Sequence, residues 1–71
     1  MKKLLKSYGL DSDMQYFEMI CESVINGQRT QAKEQFNEMS KEYRKKFISN
    51  TFGNWESGLS EQDKQMFLNE L

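Results

Sequence analysis

Met14-Gln15-Tyr16-Phe17-Glu18-Met19-Ile20-Cys21-Glu22-Ser23-Val24-Ile25-Asn26-Gly27 is the stretch on which the fold turns. At about 100° per residue, Met14, Tyr16, Phe17, Ile20, Cys21, Val24 and Ile25 fill roughly half of a helical circumference. Gln15, Glu18 and Glu22 form the opposite, acidic face, with Met19 at its edge. Asp11, Ser12 and Asp13 precede the apolar run and supply N-cap oxygens and negative charge at the positive end of the helix dipole. Asn26-Gly27 is the natural stop, because glycine enters the left-handed backbone of a helix C-cap without a Cβ penalty. The same dipeptide is also the strongest signal for a two-residue β-hairpin turn. Here the flanking period is 3.6 rather than 2, so the helical reading wins. An apolar helix that ends in a chain reversal predicts a helical hairpin as the nucleus of the fold.

The same grammar extends in both directions. A second helix is expected over residues 29–39, capped by Thr30, with a narrow stripe of Ala32, Phe36 and Met39. Lys33, Glu34, Gln35, Asn37 and Glu38 are expected to be solvated. The stripe continues in phase through Tyr43 and Phe47, so a single helix over 29–50 stands as an alternative to two. Ser40 argues for a break, since it precedes a charged first turn in the manner of an N-cap. Residues 39–48 and 59–68 also share a pattern of aliphatic, Ser, six mostly polar residues, then Phe and an aliphatic. Ser60 with Asp63 has the form of a capping box with Asp in place of Glu. Two occurrences do not make a structural repeat. Residues 53–59 form the longest break, where two glycines bracket Trp55, and residues 60–70 read as the last helix, with Met66, Phe67 and Leu71 as its contacts and Leu59 and Leu68 near them. Residues 1–9 read as a basic arm or a weak helical turn, with Leu4, Leu5 and Tyr8 on one side and Gly9 as its end. The expected fold is all-α, a small bundle of about four short helices with an N-terminal helical hairpin, in one domain over 11–71 after a short basic arm at 1–10.

Composition narrows the rest. A chain of 71 residues makes one domain. Below about 80 residues a single core rarely supplies more than about 3–5 kcal/mol without a staple. One cysteine rules out an intramolecular disulfide, there is no histidine, and the acids lack calcium-loop spacing. Self-association as a homodimer, or unusually good packing, is the remaining route, and no metal or cofactor is expected. A lone cysteine fits a reducing compartment. The basic start is not followed by a signal-peptide core, and nothing approaches the roughly 18 apolar residues of a membrane span. A cytoplasmic protein is expected, with no membrane partner. A net charge of −1 and pI of 5.4 argue against a general polyanion binder.

No cluster of residues announces a chemistry. Cys21 lacks the base that nucleophilic catalysis needs and sits in the apolar arc, where it reads as a small buried hydrophobe. Glu18 and Glu22 share a helix face, but di-metal bundle sites also need Glu-x-x-His, and this chain has no His. An enzyme is not expected. The acidic face instead reads as solvated or as a docking surface for a basic partner, with Glu18 and Glu22 and the exposed aromatics Tyr16 and Trp55 as the expected contacts. Tryptophan is enriched at interface hot spots, and the alternative for Trp55 is a lid over the open end of the core. Met14, Met19 and Met66, with Tyr8 and Tyr16, add an adaptable apolar patch. The first functional expectation is therefore a small intracellular protein-binding module. It would be an adaptor, inhibitor or modulator of the sort found among phages and mobile elements, acting by surface occupation of an unidentified protein partner. The alternative is a DNA-binding regulator using residues 29–50 as a helix-turn-helix, with Lys41, Arg44, Lys45 and Lys46 on the helix that enters the groove and Lys2, Lys3 and Lys6 as a minor-groove arm. That reading requires the four basic residues of the third helix to point outward together.

Overall fold

The computed structural model describes residues 1–52 and 59–70, without the side chains of residues 51 and 52. Five helices occupy the described residues: α1 (Lys2–Ser7), α2 (Asp13–Ile25), α3 (Arg29–Glu38), α4 (Lys41–Phe52) and α5 (Glu61–Asn69). No strand occurs among them. The fold is a small all-helical bundle, in line with the sequence reading.

The boundaries follow from local chemistry. Ser12 caps α2, its Oγ accepting the Gln15 amide, and Asp13 adds negative charge to the first turn. At the other end Gly27 sits at φ 81°. The Gly27 amide donates to the Val24 carbonyl at 3.0 Å and the Gln28 amide to the Ser23 carbonyl at 2.8 Å. These are the two crossed bonds of a Schellman cap. The chain then reverses into α3, and α2 and α3 make the expected hairpin. Helices α3 and α4 are separate: Met39 turns extended at ψ 152°, and Ser40 Oγ accepts the Tyr43 amide at 3.4 Å. Ser60 and Asp63 complete a reciprocal capping box at the start of α5, with bonds of 3.2 Å each way. The Thr30 cap is corrected. α3 begins at Arg29 after Gln28, which makes no side-chain cap, so Thr30 lies inside the first turn.

Residues 2–7 form a helix rather than a loose arm, and this brings the helix number to five. Six residues are too few to hold a helix by propensity alone. α1 persists because Leu4, Leu5 and Leu10 pack half-buried against the core. A second Schellman turn ends it: Gly9 at φ 69° donates to the Lys6 carbonyl, and Leu10 to the Leu5 carbonyl.

Four phenylalanines form the centre of the molecule, one from each of α2 to α5: Phe17, Phe36, Phe47 and Phe67, all fully buried. Phe47 lies 5.5, 5.6 and 5.1 Å from the ring centres of Phe17, Phe36 and Phe67. These spacings and edge-to-face tilts are the preferred arrangement for aromatic pairs. Tyr16, Ile20, Cys21, Val24, Ala32 and Met39 complete the core among the described residues.

Polar contacts close the seam between α3 and α5. Arg29 pairs with Asp63 at 2.8 Å and Lys33 with Glu70 at 3.5 Å. Asp63 thus uses one oxygen for its own helix cap and the other to hold α3.

Candidate functional site

The outer face of α2 carries the sequence-derived contact residues, and the fold sorts them. Glu18 and Glu22 are exposed, one turn apart, and enter no ion pair among the described residues. Asp13, at the start of the same helix, is by contrast held by Lys46 of α4 at 3.3 Å. At about 100° per residue, Met14, Ile25, Glu18 and Glu22 lie within an arc of roughly 80°. Ile25 is 60% exposed and Met14 37%. The face is therefore acidic with an apolar edge. The sequence pattern places Ile25 with the core, but it stands at the end of the helix and to one side of Val24, where no described element covers it.

Tyr16 is a correction. It is fully buried rather than an exposed contact. The residue lies about 160° round the helix from Glu18, on the side that faces α3. Its hydroxyl donates to the Gln35 carbonyl at 2.6 Å. That carbonyl belongs to the last turn of α3, where oxygens lack an intrahelical partner. The bond satisfies both groups, so the whole ring can leave water without leaving a polar atom unpaired. Tyr8 packs edge-on against Tyr16 at 5.6 Å and donates to Glu38 Oε2 at 2.8 Å. Burial, then the Glu38 charge, drives the Tyr16 pKa upward. The hydrogen bond to Glu38 is the main cause raising that of Tyr8.

Gln35 is a second correction. It is buried, not solvated. Its Oε1 accepts Ser23 Oγ at 2.9 Å, and the same hydroxyl reaches the Met19 carbonyl at 3.1 Å. A small polar network thus lies inside the α2–α3 hairpin. The only sequence signal for it is that Ser23 falls between core positions.

Cys21 is buried as expected, and desolvation, aided by the Glu18 charge, pushes its thiol up to about 12. Trp55 lies outside the described residues. Among the described residues no three His, Cys, Asp or Glu side chains gather as a metal site, and no helix is long and apolar enough to cross a membrane.

The basic residues of α4 do not present one face. Lys41 and Lys45 are exposed. Lys46 turns to Asp13, with its ammonium 5.6 Å from the centre of the Tyr43 ring. Arg44 is half-buried, and its Nε has no hydrogen-bond partner. Lys2, Lys3 and Lys6 lie on α1, which is anchored to the core by its leucines rather than extended as an arm. They line an open cleft of about 560 Å³ with Leu5, Leu10 and Asp11. A second cleft, about 490 Å³, runs between α3 and α5, where Arg29 and Lys33 meet the amides of Gln62, Gln65 and Asn69.

Compared with known protein families, curated proteins and solved structures, the chain matches none.

Proposed function

We propose that the chain is a small protein-binding module of the cytoplasm that acts by covering a partner's surface with the outer face of α2. The observation that supports this is Ile25, 60% exposed beside Glu18 and Glu22. An exposed β-branched side chain next to carboxylates that make no ion pair among the described residues favours a partner that offers both apolar contact and positive charge. Such complementarity selects the partner and speeds encounter. The apolar edge supplies the affinity that surface charge alone does not.

A synthetic amphipathic helix of Lys and Leu serves as the probe, with binding followed by calorimetry. The wild-type chain is expected to bind it. The double variant Glu18→Lys/Glu22→Lys, still helical by circular dichroism, is expected to lose most of that binding. Equal binding by the two proteins would overturn the reading.

The DNA-binding alternative draws less support, because Lys46 is engaged with Asp13 and Arg44 is half-buried. Only Lys41 and Lys45, one turn apart, face water together on α4 without an ion pair among the described residues.

A further inference from the structure

Charge is segregated at the start of this chain. Residues 2–6 hold Lys2, Lys3 and Lys6 and no acid. Residues 7–28 hold Asp11, Asp13, Glu18 and Glu22 and no Lys or Arg. One copy does not bring the two patches together. α1 sits on the Tyr16 side of α2, through the Tyr8–Tyr16 ring contact at 5.6 Å, and Glu18 lies about 160° round α2 from that side. Among the described residues neither Lys2, Lys3 and Lys6 nor Glu18 and Glu22 take part in an ion pair.

We infer that the chain self-associates head to tail, the lysine-lined cleft of α1 on one copy receiving the outer face of α2 on the next. This rests on the reading of the α2 face as a docking surface, and it names a second copy of the chain as the occupant. The two surfaces match in spacing as well as in sign. Lys2 and Lys6 are four residues apart on α1, and Glu18 and Glu22 four apart on α2. Both pairs are therefore separated by about 6 Å along their helix axes, so two ion pairs form when the helices lie side by side. Leu5 and Leu10 at the cleft offer apolar contact to Met14 and Ile25 at the edge of the acidic face. Asp11 is the one acid along the cleft. Because the two patches lie on opposite sides of α2, a single pair of copies does not close both contacts at once, and the contact is heterologous. It generates rings or open chains rather than an isologous two-fold dimer.

The test is sedimentation velocity on the full chain over a range of concentrations and salt. The wild-type protein is expected to gain mass with concentration at low salt. Shortening the Debye length from about 30 to about 3 Å with added salt should weaken association by roughly tenfold or more. Lys2→Glu/Lys6→Glu and Glu18→Lys/Glu22→Lys are each expected to be monomeric and folded. An equimolar mixture of the two double variants should associate again, because every basic patch then finds an acidic one; simple misfolding would not produce that rescue. A wild-type chain that stays monomeric at low salt overturns the inference, as does association that persists in either double variant. If the monomeric wild type still binds the Lys/Leu peptide through Glu18 and Glu22, self-association fails while the docking face stands. If the wild-type chain self-associates and both double variants are monomeric, yet the wild type does not bind the Lys/Leu peptide, the contact between copies stands and the peptide-type partner is overturned.

Discussion

Replacing Phe47 with alanine removes the one ring that, among the described residues, touches the other three buried phenylalanines. Its centroid lies 5.5, 5.6 and 5.1 Å from those of Phe17, Phe36 and Phe67, which come from three different helices. Truncating a fully buried phenylalanine costs about 3–5 kcal/mol, through lost transfer energy and the cavity left behind. Each well-oriented aromatic pair contributes about 0.5–1.5 kcal/mol beyond buried area, so Phe47, with three pairs, belongs at the upper end of that range. A domain of 71 residues has roughly 3.5–11 kcal/mol of total stability at the usual value per residue. Phe47→Ala should therefore remove a large share of the stability at 25 °C, and all of it if the total lies near the lower end of that range. Phe17→Ala, which loses one ring pair, should cost less. Urea unfolding followed by helical circular dichroism measures both. Phe47→Leu, expected to cost a smaller amount, keeps the comparison measurable if the alanine variant has no folded baseline. A loss below about 1.5 kcal/mol for Phe47→Ala, well under the expected range, would refute the idea that this ring joins the four helices. So would a smaller loss than that of Phe17→Ala.

Two further outcomes follow from local geometry. Gly27 sits at φ 81° with open space around the position of a Cβ, so Gly27→Ala pays backbone strain and no clash. The cost should be about 1–2 kcal/mol, seen as a fall in Tm of very roughly 4–8 °C per kcal/mol for a domain of this size, and Gly27→Asn should cost less. The Cys21 thiol, raised from 9.0 to about 12 by burial, should resist alkylation. At pH 8 its thiolate population is roughly a thousandfold lower than that of an ordinary exposed thiol. Iodoacetamide labelling followed by mass spectrometry should show slow modification in buffer and fast modification in urea; equal rates would contradict the burial.

The features legible before the fold was known are those whose partners lie within about one turn of chain. The Ser12 cap, the Ser40 break, the Ser60–Asp63 capping box and the Gly27 reversal each close a ring of bonds between residues one to five positions apart. Residue type and spacing specify them directly. The apolar stripe of α3 was legible for the same reason, since Ala32, Phe36 and Met39 repeat with the helical period and all three are buried. The candidate site was legible only in part. Glu18 and Glu22 could be placed on one exposed face, because spacing alone settles their relation to each other.

What the sequence by itself determined is the α2–α3 hairpin, the last helix, most of the helix ends and the apolar arc of each; the helix at residues 2–7 and the start of α3 at Arg29 lay beyond it. The tertiary structure decided which part of each arc meets a neighbour. Tyr16 and Ile25 both belong to the arc of α2, yet one is sealed by a bond to the Gln35 carbonyl and the other is 60% exposed. Gln35 reads as a surface residue until Ser23 of the facing helix supplies its hydrogen bond. α1 becomes a helix only because the core accepts its leucines. Helical period records the direction in which a side chain leaves its own axis. Burial depends on what another segment places there, and that is fixed by contacts between residues far apart in the chain.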